Sequence, residues 1–148
     1  MDKFLVGTIN ILRKLLQSHL NEVFKDYNLT SSEIFFIYIL NDENSLSQIE
    51  ISKVLECNKS HIHRVLTKLI DKGYVEYQNK DSEHFKNQKL TLTKKGKSLV
   101  CLIEKAVDEW NFYLKKGLTE DELNTAKKVA LKIVENANNF KNTENKNV

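Results

Sequence analysis

Apolar residues recur at intervals of three and four along residues 3 to 26, which is the spacing of one face of an α-helix. They are Ile9, Leu12, Leu15, Leu16, Leu20, Val23 and Phe24. Most of the residues between them are polar and fall on the opposite face. The pattern predicts a long amphipathic helix whose apolar stripe must be covered by another element.

A second helix is predicted by a capping signal that precedes an apolar run. Thr30-Ser-Ser-Glu33 is a capping box, in which a hydroxyl and a carboxylate bond the free amides of a helix start. The run IFFIYIL, residues 34 to 40, also has the composition of a strand. The cap favours a helix, and the unbroken hydrophobicity indicates burial on all sides.

Two short helices are predicted next. The capping box Ser47-Gln-Ile-Glu50 opens a helix that runs to about Glu56. Its predicted inner residues are Ile51, Val54 and Leu55. The following helix begins near Asn58 or Ser60 and ends where Gly73 supplies a left-handed conformation. Two short helices joined by a tight turn are typical of a helix-turn-helix.

The hydrophobic period changes from about 3.6 to 2 after Gly73, which predicts a β-hairpin. Val75 and Tyr77 alternate with polar residues on the first strand, and Leu90 and Leu92 do so on the second. The tip, roughly residues 79 to 87, is polar and basic. A helix-turn-helix followed by such a hairpin is a winged helix.

Two further helices are predicted after the hairpin. The stripe of the first is Leu99, Leu102, Ile103, Ala106, Val107, Trp110 and Leu114, and Gly117 ends it. A capping box, Thr119-Glu-Asp-Glu122, opens the last helix. Its stripe is Leu123, Ala126, Ala130, Ile133, Val134 and Ala137. Residues 141 to 148 are polar, and we expect them to be disordered.

Composition supports a mainly α-helical domain. The chain has 148 residues, 41% of them hydrophobic and 29% charged, with no proline and four glycines. The start resembles no signal peptide, and no stretch approaches the roughly 18 to 20 apolar residues of a membrane span. We therefore expect a cytoplasmic protein without a membrane partner. The two cysteines lie far apart without a CxxC spacing, which predicts reduced thiols, either buried or idle.

Positive charge is concentrated around the predicted helix-turn-helix and hairpin. Residues 57 to 97 hold ten basic and four acidic residues, a net charge of +6. The rest of the chain holds thirteen basic and sixteen acidic residues, a net charge of −3. A basic segment of this kind is what the neutralisation of phosphates requires.

Cys57, His61 and His63 raise the alternative of a metal site. Residues two apart on a helix do not face each other, so the two histidines cannot bind one ion from a regular helix. Cys57 and His61 are four apart, but Cys57 precedes the predicted helix and two further ligands are missing nearby. The sequence therefore predicts no metal centre here.

The predicted second helix of the helix-turn-helix has the faces that a DNA-reading helix needs. Its inner residues are Ile62, Val65, Leu66, Leu69 and Ile70, and its outer ones are Ser60, Arg64, Thr67, Lys68 and Asp71. Hydroxyl, imidazole, guanidinium and ammonium groups can all donate to bases or phosphates. Arg64 is one of only two arginines, and a guanidinium can make a bidentate contact to guanine.

The order of these segments resembles the MarR family of winged helix-turn-helix transcriptional regulators. The resemblance covers roughly residues 3 to 140 and is carried by NLTSSEIFFIYIL, SQIEISKVLECNKSHIHRVLTKLIDKGYVE, LTLTKKGKSLV and LTEDEL. It implies one domain, residues 1–148, in which residues 30–97 form the DNA-binding part. Residues 3–26 and 98–140 would form the dimerisation helices of an obligate homodimer, which would explain their long apolar stripes.

The resemblance also implies which residues face double-stranded DNA. They are Ser47, Gln48, Asn58, Lys59, Ser60, His61, His63, Arg64, Lys68, Lys80, Lys86 and Lys89. The operator should be a pseudo-palindrome that matches the two-fold symmetry of the dimer. The wing departs from the family pattern because it contains no arginine and is about one residue longer. Lys80, His84 and Lys86 would then act as point charges that add affinity more than specificity.

Members of the resembled family often respond to small aromatic or lipophilic effectors, to thiol oxidation or to metals. Effector-lining candidates are His19, Phe35, Tyr38 and Trp110, although the sequence favours core or interface packing for each of them. No cofactor is expected. The resemblance implies a repressor that a small molecule or chemical signal releases from its operator. The chain has no nucleophile elbow, phosphate loop or metal-ligand pair, so we predict that it is not an enzyme. Two alternatives stay open: a winged helix that contacts only proteins, and a metal-sensing regulator.

Overall fold

The computed structural model describes residues 4–43, 45–55, 58–78 and 88–144. The chain divides into two compact units, Met1–Asp108 and Glu109–Val148. The elements are α1 (Phe4–Val23), a 3-10 turn (Lys25–Tyr27), α2 (Ser31–Asp42), β1 (Leu46–Ser47), α3 (Gln48–Leu55), α4 (Lys59–Asp71), β2 (Val75–Tyr77), β3 (Lys89–Leu92), α5 (Lys94–Lys115) and α6 (Glu120–Glu144). The prediction of a mainly α-helical winged helix-turn-helix with a small β wing is confirmed.

The apolar run at 34 to 40 is helical, as its capping box predicts. The hydroxyl oxygen of Thr30 accepts a hydrogen bond from the Glu33 amide at 3.4 Å, and the Thr30 amide donates to the Glu33 carboxylate at 2.7 Å. Ile34, Ile37 and Leu40 are buried in the core. Phe35 is exposed, so the prediction of burial on all sides was wrong at this position. One side of α2 is left open because α1, α4 and β3 cover the others.

The predicted helix-turn-helix consists of α3 and α4. Gly73 follows α4 with φ of +76°, the left-handed conformation that the sequence predicted. On α3, Ile51 is buried and Leu55 is half-buried, whereas Val54 is exposed. Placing Val54 on the inner side was wrong, because consecutive residues diverge by about 100° and the covered stripe of this helix is narrow.

A third strand, β1, pairs with the predicted hairpin and makes a three-stranded sheet. β2 and β3 are antiparallel, with Val75 opposite Leu92. β1 pairs with the other edge of β3, giving the order β1-β3-β2. β1 was missed because two residues carry no detectable period. The wing tip predicted at 79 to 87 lies outside the described residues.

The apolar stripe of α1 is covered only toward its C-terminal end. Leu20 and Phe24 are buried in the first unit, and Leu16 and Val23 are partly buried. The N-terminal half of the helix exposes Phe4, Leu5, Val6, Ile9, Ile11, Leu12 and Leu15. Three of the seven predicted stripe residues, Ile9, Leu12 and Leu15, are therefore open to solvent in the single chain.

In the second unit, Gly117 ends the preceding helix with φ of +80° and the Thr119 capping box opens α6. Val129, Leu131, Val134 and Phe140 are all exposed along α6. The helix continues to Glu144, into the segment that the sequence predicted to be disordered, and residues 145–148 lie outside the described part of the chain.

Candidate nucleic-acid interface

α4 has one buried and one exposed face, divided as its sequence predicts. Ile62, Val65, Leu66 and Leu69 pack into the core against α2, α3 and β2. The exposed residues are Lys59, Ser60, His63, Arg64, Thr67, Lys68 and Asp71. Burial of the aliphatic face fixes the rotation of the helix about its axis. The hydroxyl, imidazole, guanidinium and ammonium groups are therefore held outward.

Asn58 forms the start of α4. Its backbone is extended, and its side-chain oxygen accepts a hydrogen bond from the Ser60 amide at 2.8 Å. Its backbone oxygen accepts the amides of His61 and Ile62. Asn58 is exposed, yet its side-chain oxygen is engaged in this cap. The cap sets the position from which Lys59 and Ser60 project.

The two histidines of α4 have different surroundings. His61 is half-buried, and its ring meets the Phe36 ring of α2 edge to face with centroids 6.5 Å apart. His63 is exposed. The two side chains thus lie in different environments, in agreement with the expectation that residues two apart on a helix do not face each other. Among the residues that the structure describes, no group of three or more histidine, cysteine, aspartate or glutamate side chains is placed to hold a metal ion.

A groove of about 270 Å³ lies between the start of α2 and the exposed side of α4. Its lining residues are Thr30, Ser32, Glu33, His61, Arg64, Val65 and Lys68. The groove brings together three of the residues predicted to face DNA, His61, Arg64 and Lys68. Ser32 and Thr30 add hydroxyl groups that the sequence analysis did not include.

Ser47 and Lys89 are tied to a single carboxylate. Ser47 is 7% exposed, and its amide and hydroxyl donate to Glu50 at 2.7 and 2.9 Å. The Lys89 ammonium lies 2.8 Å from both Glu50 oxygens. The Lys89 and Ser47 hydrogen bonds lower the pKa of Glu50 to about 2. Ser47 thus caps α3, and Lys89 neutralises that cap, so their contacts with phosphate stay predictions. Gln48, the first residue of α3, is half-buried.

The C-terminal end of α4 is anchored by residues that the sequence analysis did not single out. Lys72 donates to the Asn28 carbonyl at 2.6 Å and to the Glu33 carboxylate at 2.8 Å. Lys95 of α5 donates to the Lys72 carbonyl at 2.7 Å and lies 4.3 Å from the centre of the Tyr74 ring. These partners are distant in sequence, so no local sequence pattern predicts their contacts.

Thr93 adds another link between the end of α4 and α5. Its hydroxyl donates to the Gly73 carbonyl at 2.6 Å and accepts the Gly96 amide at 3.1 Å. A Cβ at Gly96 would clash with the Tyr74 carbonyl oxygen. The start of α5 thus packs against the backbone that follows α4.

Lys80 and Lys86, as well as His84 and Cys57, lie outside the described residues.

The effector-lining candidates lie on three helices, α1, α2 and α5. His19 of α1 places Nε2 3.2 Å from the Ala106 carbonyl of α5. Tyr38 is half-buried on α2, and Phe35 is exposed on the same helix. Trp110 is half-buried in the second unit.

Cys101 is an exposed free thiol on α5. No helix among the described residues is both long and apolar enough to cross a membrane.

Comparison with known proteins agrees with this geometry. The MarR family model matches residues 29–82, which include α2, α3, α4 and β2. The HTH-type transcriptional regulator BilQ of Clostridioides difficile (strain CD3) is 28% identical over 113 residues, 75% of this chain and 74% of that protein. A SlyA-like transcription regulator from Listeria monocytogenes has a TM-score of 0.82 and 27% identity, covering 93% of this chain and 90% of its own.

A solved structure with DNA is also similar to this chain. It contains a protein assigned to the MarR family of transcriptional regulators from Listeria monocytogenes, complexed with 26mer DNA. Its TM-score is 0.81 at 26% identity, over 91% of this chain and 89% of that one. The fold, the family model and these relatives agree. The chain is similar to winged helix-turn-helix transcriptional regulators of the MarR family, whose model matches its residues 29–82.

Proposed function

We propose that the protein is a sequence-specific DNA-binding regulator that acts as a homodimeric repressor on a pseudo-palindromic operator and is released by a small molecule or chemical signal. The observation that carries the proposal is the division of α4, whose aliphatic face is buried while its hydrogen-bond donors are exposed. A helix held in this way can enter a major groove without unfolding any core contact. The proposed role is regulatory and not catalytic.

The exposed side chains of α4 have different proposed tasks. Arg64 projects at the edge of the groove beside α2, and its guanidinium would contact a guanine edge. His63 and Ser60 would donate to neighbouring bases or phosphates, and His61 would orient α4 through Phe36. Lys59 and Lys68 would neutralise phosphates at the two ends of the helix. Asn58 sets the helix start.

Contacts outside α4 are proposed to be mainly electrostatic. Gln48 would reach DNA from the first turn of α3. Ser47 and Lys89 would act chiefly by holding that turn in place through Glu50. Lys80 and Lys86 of the wing would add phosphate contacts, because a lysine ammonium is a point charge without the fork of arginine.

Exposed apolar residues support the homodimer. In the first unit, α1 exposes large apolar side chains that include Ile9, Leu12 and Leu15. In the second unit, α6 exposes Val134 and Phe140. Surfaces of this kind on a water-soluble domain mark interaction sites. A second copy of the chain is the proposed cover, and the resulting two-fold axis requires two inverted half-sites.

The proposed effector is a small aromatic or lipophilic molecule. Within the first unit, Phe35 offers an exposed aromatic ring, Tyr38 a half-buried phenol, and His19 an imidazole that already contacts α5. A ligand that binds the DNA-free form better than the bound form would shift the protein off its operator. Phe35→Ala should then weaken the response to such a ligand without changing operator affinity.

The test is selection of duplexes from a random-sequence DNA library with the full chain, followed by sedimentation of the complex. The proposal expects an enriched inverted repeat that binds two chains per duplex. A library that stays random after repeated rounds would overturn the proposal and would favour a winged helix that contacts proteins. Enrichment of a single half-site bound by one chain would overturn the dimer alone.

A further inference from the structure

We propose that Ile49 reads the methyl group of a thymine in each half-site. The inference rests on the proposed function, since it requires an operator. Ile49 lies in the first turn of α3 and is 42% exposed. Together with Gln48, Lys59 and Ile62 it lines a groove of about 230 Å³ between α3 and α4.

Exposure alone would not single out Ile49. Scattered apolar side chains are normal on protein surfaces, and Val54 of the same helix is 55% exposed. The neighbours of Ile49 make the difference. Its groove contains Lys59, the first residue of α4, and its floor is the buried Ile62. Val54 does not line this groove.

The chemistry of the groove fits the methyl group of thymine better than the polar groups of a base pair. An isoleucine side chain can neither donate nor accept a hydrogen bond, and the thymine C5-methyl is the apolar group that a base pair presents in the major groove. The Lys59 ammonium at the same groove matches the negative charge of a neighbouring phosphate. Gln48, whose amide can pair with adenine, lies on the same lining.

The consequence is that α3 contributes one sequence-specific base contact in addition to those made by α4. Burying one methyl group against Ile49 should strengthen binding about fourfold per half-site, from the usual transfer free energy of one carbon. Because α3 packs against α4, and Ile51 and Ile62 are both buried in the core, the position of Ile49 relative to α4 is set by the core.

The experiment replaces each thymine of the selected operator in turn by deoxyuridine, which lacks only the methyl group. The unaltered full chain should lose about fourfold in affinity at one position per half-site. Ile49→Ala should bind the original operator more weakly and should show no further loss at that position. Val54→Ala is the matched control, an apolar truncation on the same helix, and should keep the full loss.

The outcomes separate this inference from the proposed function. Equal affinity of the unaltered chain for every deoxyuridine duplex would overturn the contact while leaving a sequence-specific regulator intact. The contact would also be overturned if Ile49→Ala lost as much affinity on deoxyuridine substitution as the unaltered chain does. It would be overturned as well if that loss disappeared in Val54→Ala. Failure to select any operator would overturn the proposed function, and the thymine contact with it.

Discussion

The Glu33 carboxylate lies 2.8 Å from the Lys72 ammonium and joins the start of α2 to the end of α4. Glu33 is 1% exposed, whereas the Lys72 side chain keeps 27% of its surface in contact with solvent. The same carboxylate closes the capping box with Thr30, and the same ammonium donates to the Asn28 carbonyl. One ion pair therefore helps to fix the orientation of α4, the helix proposed to read DNA.

Glu33→Gln should lower the free energy of unfolding by about 2–3 kcal/mol, because it leaves the Lys72 ammonium without its buried partner and weakens the cap. Urea unfolding at one protein concentration measures the change. The control is Glu22→Gln, which breaks the equally short but exposed Glu22–Lys25 pair. Because both groups are exposed, it should change stability far less than Glu33→Gln does. Equal effects of the two variants would contradict the structural role of Glu33.

Stability should fall in acid, in part through Glu33. Burial acts to raise the pKa of Glu33, but hydrogen bonds from Lys72 and Thr30 outweigh it and hold the pKa below its ordinary value of 4.5. The contribution of ionised Glu33 is therefore present above pH 4.5 and is lost as the pH falls through the lower folded-state pKa.

The pH prediction is checked by urea midpoints between pH 7 and pH 3, measured for the unaltered chain and for Glu33→Gln. The stability difference between them should narrow at the acid end. A difference that stays constant over this range would mean that the charge of Glu33 does not contribute. The pKa of Glu50 is lowered to about 2, so Glu50 should lower the stability of both proteins by the same amount as the pH falls.

Arg64→Ala should cost about 1–3 kcal/mol of binding to the operator and relax the preference at one position per half-site. The expected cause is loss of a bidentate contact to guanine. The other arginine provides the control, since Arg13 lies exposed on α1 and donates hydrogen bonds to Gln17 and Asn10 of its own helix. Anisotropy titrations on operator and random duplexes measure both variants. An equal loss on the two DNAs would argue against base reading by Arg64.

Lys86→Ala should weaken binding to all DNA sequences about equally and lower the salt slope by about 1, because a phosphate contact releases a counterion whatever the sequence. Affinities over a salt series on operator and scrambled duplexes give the slope. Lys127→Ala in α6 removes the same charge outside the proposed interface and should leave the slope unchanged. A change in sequence preference caused by Lys86→Ala would show instead that the wing reads bases.

Gly96→Ala should destabilise the fold by about 2 kcal/mol or more, since its Cβ would clash with the Tyr74 backbone carbonyl, which cannot rotate away as a side chain could. Gly7→Ala is the control, because Gly7 lies in α1 with nothing within 4 Å of the added carbon. That change should stabilise the protein by up to about 1 kcal/mol through helix propensity. Thermal unfolding compares the two variants. A neutral Gly96→Ala would contradict the close packing of α5 on the end of α4.

Local signals account for what the sequence predicted well. The capping box at Thr30, the aliphatic spacing of α4 and the stop at Gly73 each lie within a few residues, and the structure confirms all three. Such features depend on helix geometry that is the same in every protein.

Long-range packing accounts for what the sequence did not predict. The Glu50–Lys89 and Glu33–Lys72 pairs each join residues 39 positions apart, and β1 forms only because β3 returns beside it. Burial of Ser47 follows from that pairing and was not predicted, whereas its capping hydrogen bond to Glu50 was. The sequence analysis also missed Ile49, which becomes noticeable only beside Lys59 and Ile62.

The central claim, sequence-specific DNA binding by a dimer, is tested most directly by fluorescence anisotropy. The full chain is titrated against the DNA upstream of its own gene and against a scrambled duplex, over a salt series from about 50 to 200 mM. We predict tighter binding to the upstream DNA, two chains per site, and a steep fall in affinity with salt. Weak binding that is equal for both duplexes and insensitive to salt would contradict the account.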